Sequence, residues 1–488
     1  MSEMKSLAKD TAIYGLSSII GKFLNYLLVP LYTYALARVD DYGIVTNIYA
    51  WTALLLVLLT YGMETGFFRF VNREDYDAKS VYKTAYLTLL GTSALFSLLV
   101  VLFRQPLATV LGYADHSEFV AMMFVTVAVD AFACIPFAYL RYQKRPMVFA
   151  ALKLLFVVLN IGFNILFLVV LGKNDVFYVF LSNILATTIQ TLCLLPMTMP
   201  KGGRFDGKVL GAMLRYSLPL LVLGVAGIMN QTLDRILFPY LYTGADAQAQ
   251  LGIYGACFKV AMVMMMFTQA FRYAYEPFVF AKHKDRQSVE AYADAMKYYI
   301  IFSYLILLGV IFYLDIFRYI ISSHYWEGLK IVPVVLWTYV FQGVYFNLSF
   351  WYKLTDETKW GAYFSLIGLV ITLVLQIVGV PRIGYWASCG SSLVCYLCIM
   401  LLSYFIGQKR APIPYDLKCI GRYTLLTVVL LAAYYLPIYV LGIENMWAHM
   451  GIGTVLLGIY LYVLTKRDFP IKDYLYVFRN RRNHGSSR

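Results

Sequence analysis

Apolar residues run along this chain in long, nearly uninterrupted stretches, each closed by a short polar break, and not in the narrow stripe of a soluble amphipathic helix. Stretches of about 20 apolar residues match the roughly 30 Å hydrocarbon core of a bilayer. Fourteen are placed at 11–37, 43–70, 79–103, 117–142, 147–171, 175–197, 209–241, 249–279, 290–317, 329–352, 359–379, 384–407, 417–441 and 446–464. The pattern predicts an all-α polytopic membrane protein of about 14 transmembrane helices. The first stretch, after Lys5 and Lys9, is too long for a signal-peptide core and lacks a small-residue cleavage site, so it is expected to act as its own insertion signal.

A repeat lies beneath the spans. Val29-Pro-Leu-Tyr-Thr33 is followed by Tyr42-Gly43, and Phe238-Pro-Tyr-Leu-Tyr-Thr243 is followed by Leu251-Gly252. Pro30 to Gly43 and Pro239 to Gly252 share one spacing, and Gly172 and Tyr178 recur as Gly379 and Tyr385 at almost the same offset. Six helices per unit is an even number, so both units insert the same way up, as parallel transporter repeats do. The expected organisation is an N-terminal six-helix lobe over 1–197, a cytoplasmic linker over 198–208, a second six-helix lobe over 209–407, and two further helices with a basic tail over 408–488. The linker is marked by Pro, Gly and charge.

Composition fits this reading: 61% of the 488 residues are hydrophobic and 14% charged. Lys and Arg set the orientation. With a cytoplasmic N-terminus the outer loops carry only Arg38, Arg104, Lys173, Arg318, Lys330 and Arg382 of the 41 basic residues, so both termini are expected inside. That bias and the tail at 479–482 account for the net charge of +14 without a nucleic-acid partner. The seven cysteines fall almost entirely in apolar spans, and Cys395-Tyr-Leu-Cys398 reads as packing rather than a redox or zinc pair. The five histidines lie at loops, a helix end or the tail, which argues against a His-ligated metal. Every loop is short and poor in catalytic residue types, which favours a transporter over an enzyme.

Charges inside spans carry the functional signal. A Lys or Arg near mid-span costs about 2.5 to 3.5 kcal/mol on insertion scales and normally faces a cavity or a partner. Lys22, Arg235 and Lys259 are such residues, and the repeat does not duplicate them: Arg235 falls over Tyr26, Lys259 over Ala50, and Lys22 corresponds to Gln231. Lys22 either lines a cavity or snorkels inward. Asp234 either pairs with Lys259 across adjacent helices as a structural lock or leaves that lysine to contact substrate. Its sequence neighbour Arg235 points away, which leaves Arg235 the freer cation. Glu64, Arg69 and Arg73 end the second span, either as a solvated end or at a cavity mouth. Asp130 is a mid-span carboxylate, and with Asp234 and Glu64 it is a candidate for ion coupling. Excess cation in a cavity suits phosphate or pyrophosphate oxygens. The 43 tyrosines supply interfacial belts and stacking surfaces for sugars.

Tyr42-Gly-Ile-Val45, Tyr61-Gly-Met-Glu-Thr-Gly-Phe-Phe-Arg-Phe70, Leu233-Asp-Arg-Ile-Leu237 and Leu251-Gly-Ile-Tyr254 with Lys259 resemble the polysaccharide-biosynthesis (Wzx-type) flippases of the multidrug/oligosaccharidyl-lipid/polysaccharide (MOP) exporter superfamily. The resemblance covers roughly 11–407. It implies translocation of undecaprenyl-pyrophosphate-linked oligosaccharide, an O-antigen, capsule or exopolysaccharide unit, across the bacterial inner membrane by rocking of two lobes. It also implies no catalytic residue, no metal and no cofactor, with H+ or Na+ as candidate coupling ions. The expected partners are the lipid-linked oligosaccharide, membrane lipids, and the polymerase and glycosyltransferases of the same pathway. Lys22, Asn25, Arg69, Arg235 and Lys259 are the candidate substrate contacts. A lipid II type peptidoglycan-precursor flippase is the nearer alternative, ahead of a multidrug exporter or a membrane glycosyltransferase or polymerase.

Overall fold

The computed structural model describes residues 20–468 except 22, 25, 282–285 and 356, and leaves undescribed the side chains at 273, 274, 276–281 and 286–288. Its helices, in chain order, are α1 (Leu28–Ala35), α2 (Val39–Thr60), α3 (Met63–Val71), α4 (Ala78–Leu102), α5 (Arg104–Val110), α6 (Ser117–Tyr142), α7 (Pro146–Asn164), α8 (Val176–Thr198), α9 (Gly207–Leu241), α10 (Ala247–Val260), α11 (Met262–Ala281), α12 (Arg286–Phe312), α13 (Leu314–Phe317), α14 (Val332–Leu348), α15 (Phe350–Leu354), α16 (Lys359–Ile383), α17 (Tyr385–Arg410), α18 (Leu417–Leu441) and α19 (Met446–Arg467). There is no strand among the described residues.

Twelve helical stretches are long and apolar enough to cross a membrane, and α10 with the first part of α11 makes a thirteenth, bent by 46°. They coincide with the second to fourteenth apolar runs of the sequence. The first run, 11–37, lies largely outside the described residues. Polar caps set several starts where the spans leave the apolar layer: the Asp77 side chain accepts from the amides of Lys79 and Ser80, Asp175 from Phe177, Asp206 from Lys208 and Asn445 from Trp447. The Ser80 hydroxyl, with the two capping amides, holds the Asp77 carboxyl below its ordinary range.

The second span is broken at Tyr61-Gly62. Both residues are left-handed, with φ of 32° and 69°; for Tyr61 this is a costly conformation. The phenol of Tyr61 lies 3.3 Å from the Thr92 hydroxyl. Beyond the break, α3 packs so closely on α9 that a Cβ on Gly66 would stand 2.6 Å from Ser217 Oγ.

The tightest helix crossing joins α2 to α10. A Cβ on Gly43 would lie 1.9 Å from the Gln248 carbonyl oxygen, and one on Gly252 would lie 2.4 Å from the Val39 carbonyl oxygen and 3.0 Å from Gly43 N. These two glycines are equivalent positions of the sequence repeat. Absence of a side chain on both is what allows the two backbones to touch, the usual device of helix packing in lipid.

By its contacts the chain forms two compact units, Met1–Pro277 with Ile320–Ala411, and Phe278–Tyr319 with Pro412–Arg488. The second unit groups α12 with α18 and α19. Within this second unit Gly453 lets α19 approach Phe312, whose Cβ would lie 2.6 Å from an added Cβ. The Tyr460 hydroxyl donates to the Ile301 carbonyl at 2.8 Å. At one end Lys297 and Tyr423 converge on Asp468, each at 2.9 Å. At the other, Asp315 meets His449 at 2.7 Å and Arg318 at 3.1 Å.

Candidate functional site

A cavity of about 300 Å³ opens in the first unit where α1, α2, α7, α8, α9 and α10 meet. Its polar lining is Tyr32, Tyr42, Thr46, Tyr49, Asn160, Asn183 and Thr232, and its charges are Arg235 and Lys259. Among the described residues no carboxylate lines it. A second space of about 200 Å³ lies among α9, α10, α11, α14 and α17, and it shares Thr232, Arg235 and Lys259 with the first. The two cations therefore stand at the junction of both spaces.

Their positions are fixed from the backbone outward. Asn47 on α2 donates to the Arg235 carbonyl at 2.6 Å, and Asn47 is itself held by the Tyr113 hydroxyl at 2.8 Å. The Arg235 guanidinium lies 4.7 Å from the centre of the Phe258 ring and donates to the Gln231 carbonyl. Its Nε lies 3.4 Å from the Asp234 carboxylate, whose other oxygen accepts from Tyr254 at 2.5 Å. Lys259 has no hydrogen-bond or ion-pair partner among the described residues.

This reverses the expected pairing of the three charges. Asp234 is locked to Arg235 and Tyr254, and Lys259 is the freer cation. Neighbouring residues start about 100° apart around a helix, but a guanidinium stem is long enough to fold back to its neighbour, and Tyr254 brings the second partner from α10. An ammonium with three donors and a guanidinium with spare N–H groups can hold an anion; among the described residues no carboxylate lines the first space, and Asp234, tied to Arg235, lines the second.

The remaining sequence candidates lie elsewhere. Lys22 and Asn25 fall outside the described residues. Glu64 pairs with Arg141, and both line a third space of about 500 Å³ together with Asp130, Lys153 and Gln190. This space shares Phe156 with the first cavity. Asp130 and Lys153 face it without forming an ion pair, and the Lys153 ammonium sits 3.9 Å from the centre of the Phe137 ring. Arg69 does not line these spaces: it is exposed near the end of α3, stacked on Tyr216 at 4.1 Å. The sequence reading missed Asn47, Asn160 and Asn183. The available signal was an amide within an apolar span, which must find partners in lipid.

A family model described as "Polysaccharide biosynthesis protein" matches residues 7–275, more than half of the chain. Among curated proteins nothing matches. Among solved structures the chain is similar to a lipid II flippase, MurJ, in an inward closed conformation, with TM-score 0.74 and 13% identity over 93% of this chain and 98% of that one. It is also similar to an inward-facing multidrug resistance MATE family transporter of the MOP superfamily, with TM-score 0.66 and 11% identity over 82% and 95% of the two chains. A MOP superfamily transporter from Pyrococcus furiosus, described as having reversed polarity of its binding pocket, matches with TM-score 0.55 and 14% identity over 83% and 95%. The fold is that of MOP superfamily transporters.

Proposed function

We propose that this chain, which belongs to the polysaccharide biosynthesis protein family, is a flippase that moves undecaprenyl-pyrophosphate-linked oligosaccharide across the bacterial inner membrane. The observation that carries the reading is a cavity lined, among the described residues, by two cations and no carboxylate. A pyrophosphate at the junction would take charge-assisted hydrogen bonds from Arg235 and Lys259. The sugars would lie against the tyrosines and amides of the adjoining walls. In this reading Lys22 and Asn25 extend the same lining from the first span, both termini are cytoplasmic, and the polymerase and glycosyltransferases of the pathway are functional partners.

Movement would follow from rocking of the repeat-related halves, 1–197 and 209–407, and the glycine crossing of α2 and α10 supports such a pivot. Asp130 and Glu64 sit beside the cavity rather than in it, which suits them to take a coupling H+ or Na+ without competing for the anion. Asp234, tied to Arg235, is the third candidate for coupling. Nothing in this scheme requires a catalytic group.

A second reading is a lipid II type peptidoglycan precursor, because its pyrophosphate would meet the same cations and the fold matches a lipid II flippase along nearly the whole chain. The test is polysaccharide export from cells whose own gene is replaced by variants. Arg235→Ala and Lys22→Ala should abolish export, Lys22→Arg should retain part of it, and Lys22→Glu none. Normal export by both alanine variants would refute the anion cavity. Lysis with intact polysaccharide on depletion of the protein would move the substrate to the peptidoglycan precursor.

A further inference from the structure

A second cationic site lies away from the cavity, at the level where two spans end. The end of α3, the segment after it and the first turns of α9 enclose an open cleft of about 580 Å³, lined by Arg69, Arg73 and Arg215. Its floor is aromatic. Phe70 stands edge to face with Tyr76 at 5.2 Å and with Tyr216 at 6.4 Å. These rings hold two of the guanidinium groups: Arg69 lies 4.1 Å from the centre of Tyr216, and Arg73 lies 5.8 Å from Tyr76 and 5.9 Å from Phe70. Stacking immobilises a guanidinium by its face and leaves its N–H edge free to donate.

The charges are poorly compensated. Arg73 reaches Asp75 at 3.4 Å, but neither Arg69 nor Arg215 has a carboxylate partner among the described residues. Among the described residues no acidic side chain lines the cleft. Three guanidinium groups gathered from α3, the segment after it and α9 raise the local concentration of anions. Three planar forks offer more donors than the two oxygens of a carboxylate can take, and match the several oxygens of a phosphate group better. We propose that this cleft is a binding site for a phosphate group, supplied either by the headgroup of an anionic phospholipid or by free phosphate or pyrophosphate. The site is separate from the Arg235–Lys259 junction and does not depend on the flippase reading.

The experiment uses the purified full-length protein and native mass spectrometry in mild detergent. The probes are dioctanoyl phosphatidic acid, inorganic pyrophosphate, dioctanoyl phosphatidylcholine and lauric acid. The wild type should bind one phosphatidic acid in preference to the zwitterionic lipid and the carboxylate. Arg69→Gln and Arg215→Gln should each weaken binding about tenfold or more, the loss expected of one charge-assisted hydrogen bond. Arg215→Lys, which keeps the charge and loses the fork, should fall between. Lys208→Gln, at the same helix end but outside the cleft, should bind as the wild type does. Displacement of the lipid by pyrophosphate at similar concentration assigns the site to a free anion; retention of the lipid assigns it to a headgroup. Unchanged binding in both glutamine variants with unchanged melting temperatures would overturn the proposal, as would an equal loss in Lys208→Gln or equal binding of lauric acid.

Discussion

Removing Arg235 and removing Lys259 should have very unequal consequences for the folded protein, although both take one cation from the same cavity. The Asp234 side chain is 4% exposed and lies 3.4 Å from the guanidinium. With an effective dielectric constant of about 20, that separation corresponds to about 5 kcal/mol of attraction. Removing one partner of a buried pair costs about 3 to 5 kcal/mol, because the other charge is left uncompensated. Arg235→Ala should therefore lower the free energy of unfolding by about 3 to 5 kcal/mol. Lys259 has no such partner among the described residues, so Lys259→Ala should stay within about 1 kcal/mol of the wild type. SDS-induced unfolding in mixed micelles, followed by tryptophan fluorescence, measures both. Adding Asp234→Asn to Arg235→Ala removes the orphaned charge, and the double variant should recover at least half of the loss. Equal destabilisation by the two alanine variants, or no recovery in the double variant, would refute this assignment of partners.

Three further outcomes follow from the geometry. Gly43→Ala places a methyl group within 1.9 Å of a backbone carbonyl and should cost about 1 to 3 kcal/mol in the same unfolding assay, whereas Gly91→Ala, with open space around it, should be neutral or slightly stabilising. Burial works to raise the carboxyl of Asp468, but the hydrogen bonds from Lys297 and Tyr423 outweigh it and hold the group below its ordinary range. The stabilisation from Asp468 is thus complete above its unfolded value of about 3.9 and drains away as pH falls through the lower folded value, so melting temperatures of wild type and Asp468→Asn should converge on acidification. In intact cells, single cysteines placed in 112–117 should react with an impermeant maleimide and those in 201–208 should not; the reverse would invert the orientation.

The spans were readable because lipid imposes a length and an apolar composition that few other environments demand. Thirteen runs reappear with ends shifted by a few residues, and the repeat marked in advance the two glycines that meet at the α2–α10 crossing. Rotation of each helix about its own axis was not readable. It decides that Tyr254, rather than Lys259, faces Asp234, and that Asp130 and Lys153 open onto one space. The break at Tyr61-Gly62 was hidden for a related reason: Tyr61 is a left-handed residue without glycine's freedom, and its place in the fold depends on contacts made by other helices. Arg215 escaped notice because it stands in a basic helix end, where positive charge has an orienting role of its own. Only the fold brings it beside Arg69 and Arg73.

The central claim is that the junction cations carry a pyrophosphate-linked sugar through the membrane. The direct measurement is leaflet accessibility in proteoliposomes. Wild-type protein and Lys259→Glu are reconstituted separately with a polyprenyl-pyrophosphate-linked oligosaccharide, and the sugar exposed at the outer surface is followed with an impermeant glycosidase. The wild type should bring the protected sugar to the enzyme, while Lys259→Glu, equally folded, should leave it protected as in protein-free vesicles. Equal exposure of the sugar in both, or none above protein-free vesicles with the wild type, would contradict the account.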